Sequence, residues 1–390
     1  MFLHHRTRLQ NSVLLFFPLL AMVFSFSSSV LSPIIPLYLR EIVHQETTIG
    51  FTFALLALLS LFFEMLVGPL LFSYDVRRLL QVSFFFLACS FFLFPFVYSL
   101  PFFFFLELFR LFFFICALLC LGLCIHASAP GHHLGNQEGA SFSLINFAWL
   151  LGPLMGGFVA DTFSVRSVFY VAGVLALLPL LLLFFYRRPL RLIHPPHFDL
   201  RKTCVSFFAD TSLRSSYLMT ASLTGYMVLV AIFLPLHFQK LGAGPALIGF
   251  IFFLTMLPLF LFEFFAGHLG ERYSPTLLIA IGFFIVGFFT LLLSFTDSFW
   301  LFVFLLVFAY LGISLIQPNL ETRFFSLVSS AQEIRYYAIY KTSIQIGALV
   351  GLALASLILL VAPLFVLLFF VGLYAILFAL WCFSKKSLNS

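Results

Sequence analysis

Runs of about twenty apolar residues, separated by short charged or turn-forming breaks, occur twelve times along this 390-residue chain. A helix of that length rises about 30 Å, the thickness of a bilayer's hydrocarbon core. The windows fall near 12–39, 49–72, 80–98, 102–126, 140–159, 167–186, 214–238, 247–267, 276–295, 299–319, 338–361 and 364–383. With 63% hydrophobic and only 9% charged residues, the composition excludes a soluble globular protein. In lipid every backbone N–H and C=O must find its partner inside the protein, so runs of this length have to be helices. The expected fold is an all-α polytopic membrane protein with twelve transmembrane helices.

The placement of Lys and Arg orients it, because cationic loops resist translocation. With both termini cytoplasmic, sixteen of the twenty basic residues lie on the inner side, and only Arg40, Arg166 and Lys240 lie outside. Arg110 falls within a helix. The net charge of +6 is thus spread over separate loops and is topological, not a nucleic-acid footprint. The basic start, His4 to Arg8, runs into an apolar stretch without an obvious small-residue cleavage site, which reads as a retained first helix. An integral, multi-pass protein of a plasma (inner) membrane is expected, with the lipid bilayer as its surroundings and a monomer as its state.

The largest polar break runs from Arg187 to Ser216 and carries Arg187, Arg188, Arg191, Pro195, Pro196, Arg201 and Lys202. It divides the chain into an N-terminal six-helix bundle (1–186), a cytoplasmic linker (187–213) and a C-terminal six-helix bundle (214–390). The apolar patch Val205–Phe208 within the linker can form a short amphipathic helix at the inner leaflet. Cys116, Cys120 and Cys124 recur every four residues, but no His or carboxylate joins them at ligand spacing. They read as small packing residues, and no metal or cofactor is expected.

The two halves are related. Shifted by 199 residues, thirteen of the thirty-nine positions from Pro36 to Tyr74 meet an identical residue, among them Pro36/Pro235, Gly50/Gly249, Glu64/Glu263, Gly68/Gly267 and Tyr74/Tyr273. Chance would give roughly three or four, and mostly Leu and Phe. The register extends to Gly152/Gly351. Residues kept in both halves read first as scaffold, whereas those present in one half only are where direction or a coupling ion can be specified.

Two motifs carry a family resemblance. From the end of the second apolar window runs Gly68-Pro69-Leu70-Leu71-Phe72-Ser73-Tyr74-Asp75 with Arg77 and Arg78; from the end of the eighth runs Gly267-His268-Leu269-Gly270-Glu271-Arg272. A Gly at a helix end admits a close neighbour, and an acid beside basic residues can latch a seam. In the fifth helix stands Gly152-Pro153-Leu154-Met155-Gly156-Gly157, where Pro bends the axis and Gly admits a second helix. The first pair resembles the signature loop of the major facilitator superfamily, although Phe72 occupies the usual acid position of the first copy. The helix-five run, with its flanks from Glu138 to Phe169, resembles the antiporter motif of that superfamily's drug/proton exchangers, with Ala148 where an earlier Gly is usual. The resemblance implies two pseudo-symmetric six-helix bundles that rock around a central site.

Charges inside lipid are the remaining candidates. Glu107 and Arg110 are three residues apart on one helix and can neutralise each other. Arg110 matches the fourth-helix Arg that the resemblance implicates in proton transfer, although Phe113 and Phe114 follow where Gln and Gly are usual; a structural ion pair is the alternative reading. Glu64 and Glu263 either carry protons or stabilise equivalent loop junctions. Lys341 and Gln345, with Gln317, Asn319, Glu321 and Arg323, can line a cavity, as can the serines Ser25, Ser27, Ser28 and Ser29 of helix one. His126, His237 and His268 lie near helix ends and read as surface or capping residues. The function expected is secondary active export of small organic molecules with protons as coupling ion. A nutrient or metabolite importer or uniporter of the same fold is the alternative, and a non-transporting receptor or polytopic membrane enzyme is a second. No catalytic spacing of His, Asp, Ser or Cys at one depth is apparent, and phosphate-cradling and HExxH motifs are absent from the sequence.

Overall fold

The computed structural model describes residues 2–128, 134–186, 200–329 and 332–386. Side chains of 2–15, 65, 68–73, 126–128, 134–142, 200, 264, 268, 271, 333–334 and 385–386 also lie outside the described set. The N-terminal half holds α1 (Phe2–Ser29), α2 (Ile34–Ile42), α3 (Glu46–Ser73), α4 (Val76–Leu93), α5 (Leu100–Ser128), α6 (Leu134–Thr162) and α7 (Ser167–Phe185). A short α8 (Leu200–Ala209) precedes α9 (Thr211–Lys240), α10 (Pro245–Arg272), α11 (Pro275–Leu293), α12 (Phe299–Leu327), α13 (Glu333–Val361) and α14 (Leu364–Lys386). Among the described residues there is no strand, and twelve stretches are long and apolar enough to cross a membrane. The fold is all-α, as the sequence requires.

The first span departs from the single continuous helix expected over 12–39. It breaks between Ser29 and Ile34, and α2 resumes after Pro33. A Pro has no N–H for the helix ladder and its ring crowds the carbonyl four residues back, which here belongs to Ser29. The repeat mate of Pro33 is Ile232, and α9 runs unbroken through that position, even though it tolerates Pro235 three residues later. The break is therefore a feature of one half only, with Pro33 at the point where the helix resumes.

Helix starts are written in short polar residues. The carboxylate of Asp75 accepts from Arg77 N at the head of α4, and that of Asp210 accepts from Ser212 N (2.7 Å) and Leu213 N (3.2 Å) at the head of α9. Pro275 opens α11, where its missing N–H costs nothing.

The chain forms two units that do not simply follow the halves. One comprises Met1–His44, Leu59–His194 and Gly242–Phe253; the other comprises Gln45–Leu58, Pro195–Leu241 and Leu254–Ser390. Inside the first, α1 packs on α6 and α4 packs on α5 and α7; inside the second, α9 packs on α13 and α11 on α12 and α14. These pairings map onto one another under the 199-residue shift, so the duplication is visible in packing as well as in sequence. The core of the first unit is apolar, with Phe17 and Phe24, Leu80 and Phe84, Cys120 and Cys124, and Leu183 in one cluster. Cys116 packs separately against Val67. The cysteine stripe is thus packing, as its spacing suggested.

The linker patch does form a helix, α8, but only part of it faces outward. Phe207 is buried against Tyr217 and Tyr336, Tyr336 donates to Ser206 Oγ (3.1 Å), and Val205 and Phe208 remain exposed.

Candidate functional site

Helix α5 holds Glu107 and Arg110 one turn apart, both buried. Arg110 Nε donates to Glu107 Oε2 (2.7 Å) and Nη2 to Oε1 (2.5 Å), a two-pronged contact that satisfies both carboxylate oxygens. The guanidinium stands between the rings of Phe91 and Phe114, at 5.9 and 5.8 Å from their centroids. The repeat mates of Glu107 and Arg110 are Leu306 and Ala309, so the corresponding helix of the second half carries no such pair.

The helix-five motif lies in α6, and each of its glycines meets backbone. A Cβ on Gly152 would stand 2.8 Å from the carbonyl carbon of Ser29, and one on Gly156 would be 2.9 Å from that of Val30. On Gly157 it would lie 2.5 Å from Pro245 O and 2.9 Å from Gly249 Cα, within the same unit. Ser29 Oγ also donates to Ala148 O (2.8 Å), so the position where an earlier Gly is usual accepts a hydrogen bond across the same crossing. The break in the first span falls where α6 crosses it. One of these contacts has a repeat counterpart: Gly50, the mate of Gly249, meets the side chain of Ser356, the mate of Gly157.

The loop motifs are placed differently from the sequence expectation. Asp75 caps α4, while Arg77 Nη2 donates to Leu183 O (3.1 Å) and Arg78 is exposed. Gly68 lies inside α3. Gly267 admits no close neighbour, since a Cβ there would meet open space. The close approach occurs instead at Gly270, against the side chain of Asn319. Arg272 ends α10 exposed, and the side chain of Glu271 lies outside the described residues. So do those of Glu138, His126 and His268. Glu64 in α3 and Glu263 in α10 are both partly buried.

The polar residues of α12 divide by helical face. Asn319 and Arg323, one turn apart, are buried in the packing of their unit and do not line an open surface. Asn319 Nδ2 donates to Ala266 O and Leu315 O, tying α12 to α10. Arg323 donates from Nε to Ser216 Oγ (3.1 Å), from Nη2 to Ser215 Oγ (2.9 Å) and from Nη1 to Thr276 Oγ1. Its mate in the first unit is Cys124, among Phe17, Leu80 and Leu183. On the other face, Glu321 meets α13, where Lys341 Nζ donates to its Oε1 at 2.6 Å, and Gln317 lies one turn before it on α12. Gln345, one turn beyond Lys341, is partly buried.

At the C-terminal end of α2, Tyr38 is buried and its hydroxyl donates toward Phe94 O (2.6 Å) and Val97 O (2.9 Å). Arg166 lies over the Tyr98 ring at 4.2 Å, donates to Pro95 O (3.0 Å) and reaches Glu41 at 3.5 Å. In the second unit the mates of Tyr38 and Glu41 are His237 and Lys240. Lys240 pairs with Glu46 at 2.9 Å, and His237 sits among Phe238, Phe302 and Phe365 with no partner for Nε2. Of the helix-one serines, Ser27 bonds back to Phe24 O, Ser29 makes the crossing contact, and buried Ser28 Oγ has no partner.

Spacing made the α5 pair and the α6 glycines visible in sequence. The Arg323 cage, Gly270 and the Glu321–Lys341 pair were not, although the absence of repeat mates marks both Arg323 and Glu321. Among the described residues, twelve membrane-length helices pack as two copies of one arrangement, an all-α membrane fold.

The chain belongs to the major facilitator superfamily: the family's sequence model matches residues 19–240 and 217–389. It is 23% identical over 326 residues to an uncharacterized MFS-type transporter of Methanocaldococcus jannaschii, spanning 82% of this chain and 84% of the relative. Among solved structures it resembles a POT family transporter in complex with a thioalcohol-conjugated peptide (TM-score 0.79, 11% identity, 96% of each chain). It also resembles the nucleoside transporter NupG (TM-score 0.77, 12% identity, 95% of this chain and 99% of that one). A third likeness is to a bacterial homolog of the human lysosomal transporter Spinster (TM-score 0.72, 13% identity, 90% and 82%). At these identities the structural likenesses establish the fold. The family points to a membrane transporter rather than an enzyme.

Proposed function

We propose that this protein exports small organic molecules by alternating access and that proton entry drives the cycle. The division into bundles 1–186 and 214–390, both termini on the cytoplasmic side of a plasma membrane, and a monomeric state belong to this proposal. The observation that carries it is the Glu107–Arg110 pair, buried, engaged at both carboxylate oxygens and present in one half only. A proton added to Glu107 removes the charge that holds Arg110, and the freed guanidinium must then find another acceptor. Such an exchange links protonation to a change of helix contacts. Outward direction rests on the likeness of Gly152, Pro153, Gly156 and Gly157 to the antiporter motif. Glu64 and Glu263, alike in both halves, are proposed as scaffold, and Gly68, Asp75, Arg77, Arg78, Gly267, Glu271 and Arg272 as gating elements.

The importer reading has a weaker anchor. An importer of anionic substrates would need a free cation to receive them, and the Arg110 guanidinium is already committed to Glu107. The relatives named for nucleosides and peptides extend the proposed substrate range to polar organic molecules.

The test is flux into proteoliposomes under an imposed pH gradient, comparing wild type with Glu107→Gln, Arg110→Ala and Glu263→Gln. Gradient-dependent flux that is lost in the first two variants and kept in the third is expected. Flux indifferent to the gradient, with all three variants like wild type, overturns proton coupling.

A further inference from the structure

Gln317 and Glu321 lie one turn apart on α12, and Lys341 and Gln345 lie one turn apart on α13. Lys341 neutralises Glu321 through Oε1 and stands 4.9 Å over the Tyr337 ring. About a third of each side chain of the pair remains accessible, 36% for Lys341 and 32% for Glu321. Yet Glu321 Oε2 and Gln317 Oε1 are themselves sealed from solvent and accept no hydrogen bond. The repeat mates of Gln317, Glu321 and Lys341 are Leu118, Gly122 and Phe142, so the sister helix pair is built without this group and the fold does not require it.

What the site lacks is a donor, not a charge. Its carboxylate already has a cation, and buried acceptors without partners are costly, the more so for a charged group. Beside it Tyr337, which Lys341 overlies, stacks on the exposed Phe325 at 5.4 Å. Rings of this kind favour offset or edge contact with a further ring.

We infer that Gln317 and Glu321 form a subsite for an aromatic amphiphile whose head donates N–H or O–H bonds, with its ring against Tyr337 and Phe325. This deepens the transporter reading and rests on it. The head binds through its hydrogens, so two molecules of equal charge but different donor count must separate.

The experiment measures binding, not flux, by titration calorimetry on the full chain in lipid nanodiscs. Three probes share one ring and linker: 2-phenylethylamine, trimethyl(2-phenylethyl)ammonium, which keeps the charge but has no N–H, and 2-phenylethanol, a neutral donor. The amine and the alcohol are expected to bind, with the quaternary analogue at least tenfold weaker than the amine. Gln317→Leu should weaken the amine about fivefold or more while leaving the quaternary analogue unchanged, whereas Glu321→Leu, which also strips Lys341 of its counter-charge, should weaken both cations. The inference is overturned by a quaternary analogue that binds as tightly as the amine, by no binding of any probe, or by both variants binding the amine like wild type. Because the probe comparison needs only wild-type protein, a variant that fails to fold leaves the test intact. Donor selectivity without gradient-driven flux would sink proton coupling and spare the subsite; gradient-driven flux without donor selectivity would do the reverse.

Discussion

Replacing Gly156 by Ala adds one methyl group at the tightest part of the α1–α6 crossing. Its carbon would lie 2.9 Å from the carbonyl carbon of Val30 and 3.3 Å from its Cα, with the carbonyl oxygen nearer still. All three obstacles are backbone atoms, so no side chain can rotate away. Since a carbon rests about 3.3 Å or more from a carbonyl oxygen, the two helices must separate locally by roughly 1 Å. Ser29 Oγ, which donates to Ala148 O two turns earlier on α6, lies beside the same seam and would be pulled with it. Overpacking of this kind costs about 1–3 kcal/mol. Gly122→Ala supplies the control, because a Cβ there meets nothing within 4 Å. In a helix interior that change should be neutral or favourable by up to about 1 kcal/mol. The assay is the apparent melting temperature of the two purified variants in one detergent, read beside flux in proteoliposomes. Gly156→Ala should melt several degrees below wild type and Gly122→Ala at or above it. Equal melting of the two would refute the claim that Gly156 is held by steric approach of backbone to backbone.

Substitutions at three further places test the electrostatic part of the account. Glu107→Ala leaves Arg110 buried without its partner and should destabilise by about 3–5 kcal/mol, whereas Glu107→Ala with Arg110→Leu should recover a large part of that loss in a double-mutant cycle of chemical unfolding. A double variant no better than the single would argue against a mutually dependent pair. Arg323→Met removes a buried charge at a position whose repeat mate sits in apolar packing; it should hold or raise the melting temperature, while Arg323→Ala, which leaves a void, should lower it. Asp210→Ala removes the acceptor for Ser212 N and Leu213 N and should cost about 1 kcal/mol, seen as faster amide exchange confined to the first turn of α9.

How much of this was readable in sequence depends on the range of the interaction. Hydropathy windows report a local requirement, that each span satisfy its own backbone, and so all twelve spans were legible, most to within a turn and the tenth short by about two turns at its C-terminal end. The Glu107–Arg110 pair was legible for the same reason, as both partners lie on one turn. The break in the first span was not legible, since Pro235 and Pro318 lie inside unbroken helices and nothing local separates Pro33 from them. Contacts between helices are another matter. Nothing in Gly267 distinguishes it from Gly270, and only the position of Asn319 on a distant helix decides which one is approached. Likewise Arg323 and Glu321 are two residues apart and read as one polar cluster, yet a two-residue step turns a helix by about 200°, sending one into the bundle and the other toward Lys341.

The central claim is an exchange of protons for an organic molecule, and the most direct measurement of it needs no variant. Proteoliposomes holding the purified protein and a pH-sensitive dye, with membrane potential clamped, are given a transported molecule on one side and followed for proton movement. The account predicts protons moving opposite to the molecule, in proportion to its flux, and absent from liposomes containing Glu107→Gln. Transport with no accompanying proton movement, or with protons moving in the same direction as the molecule, would contradict it.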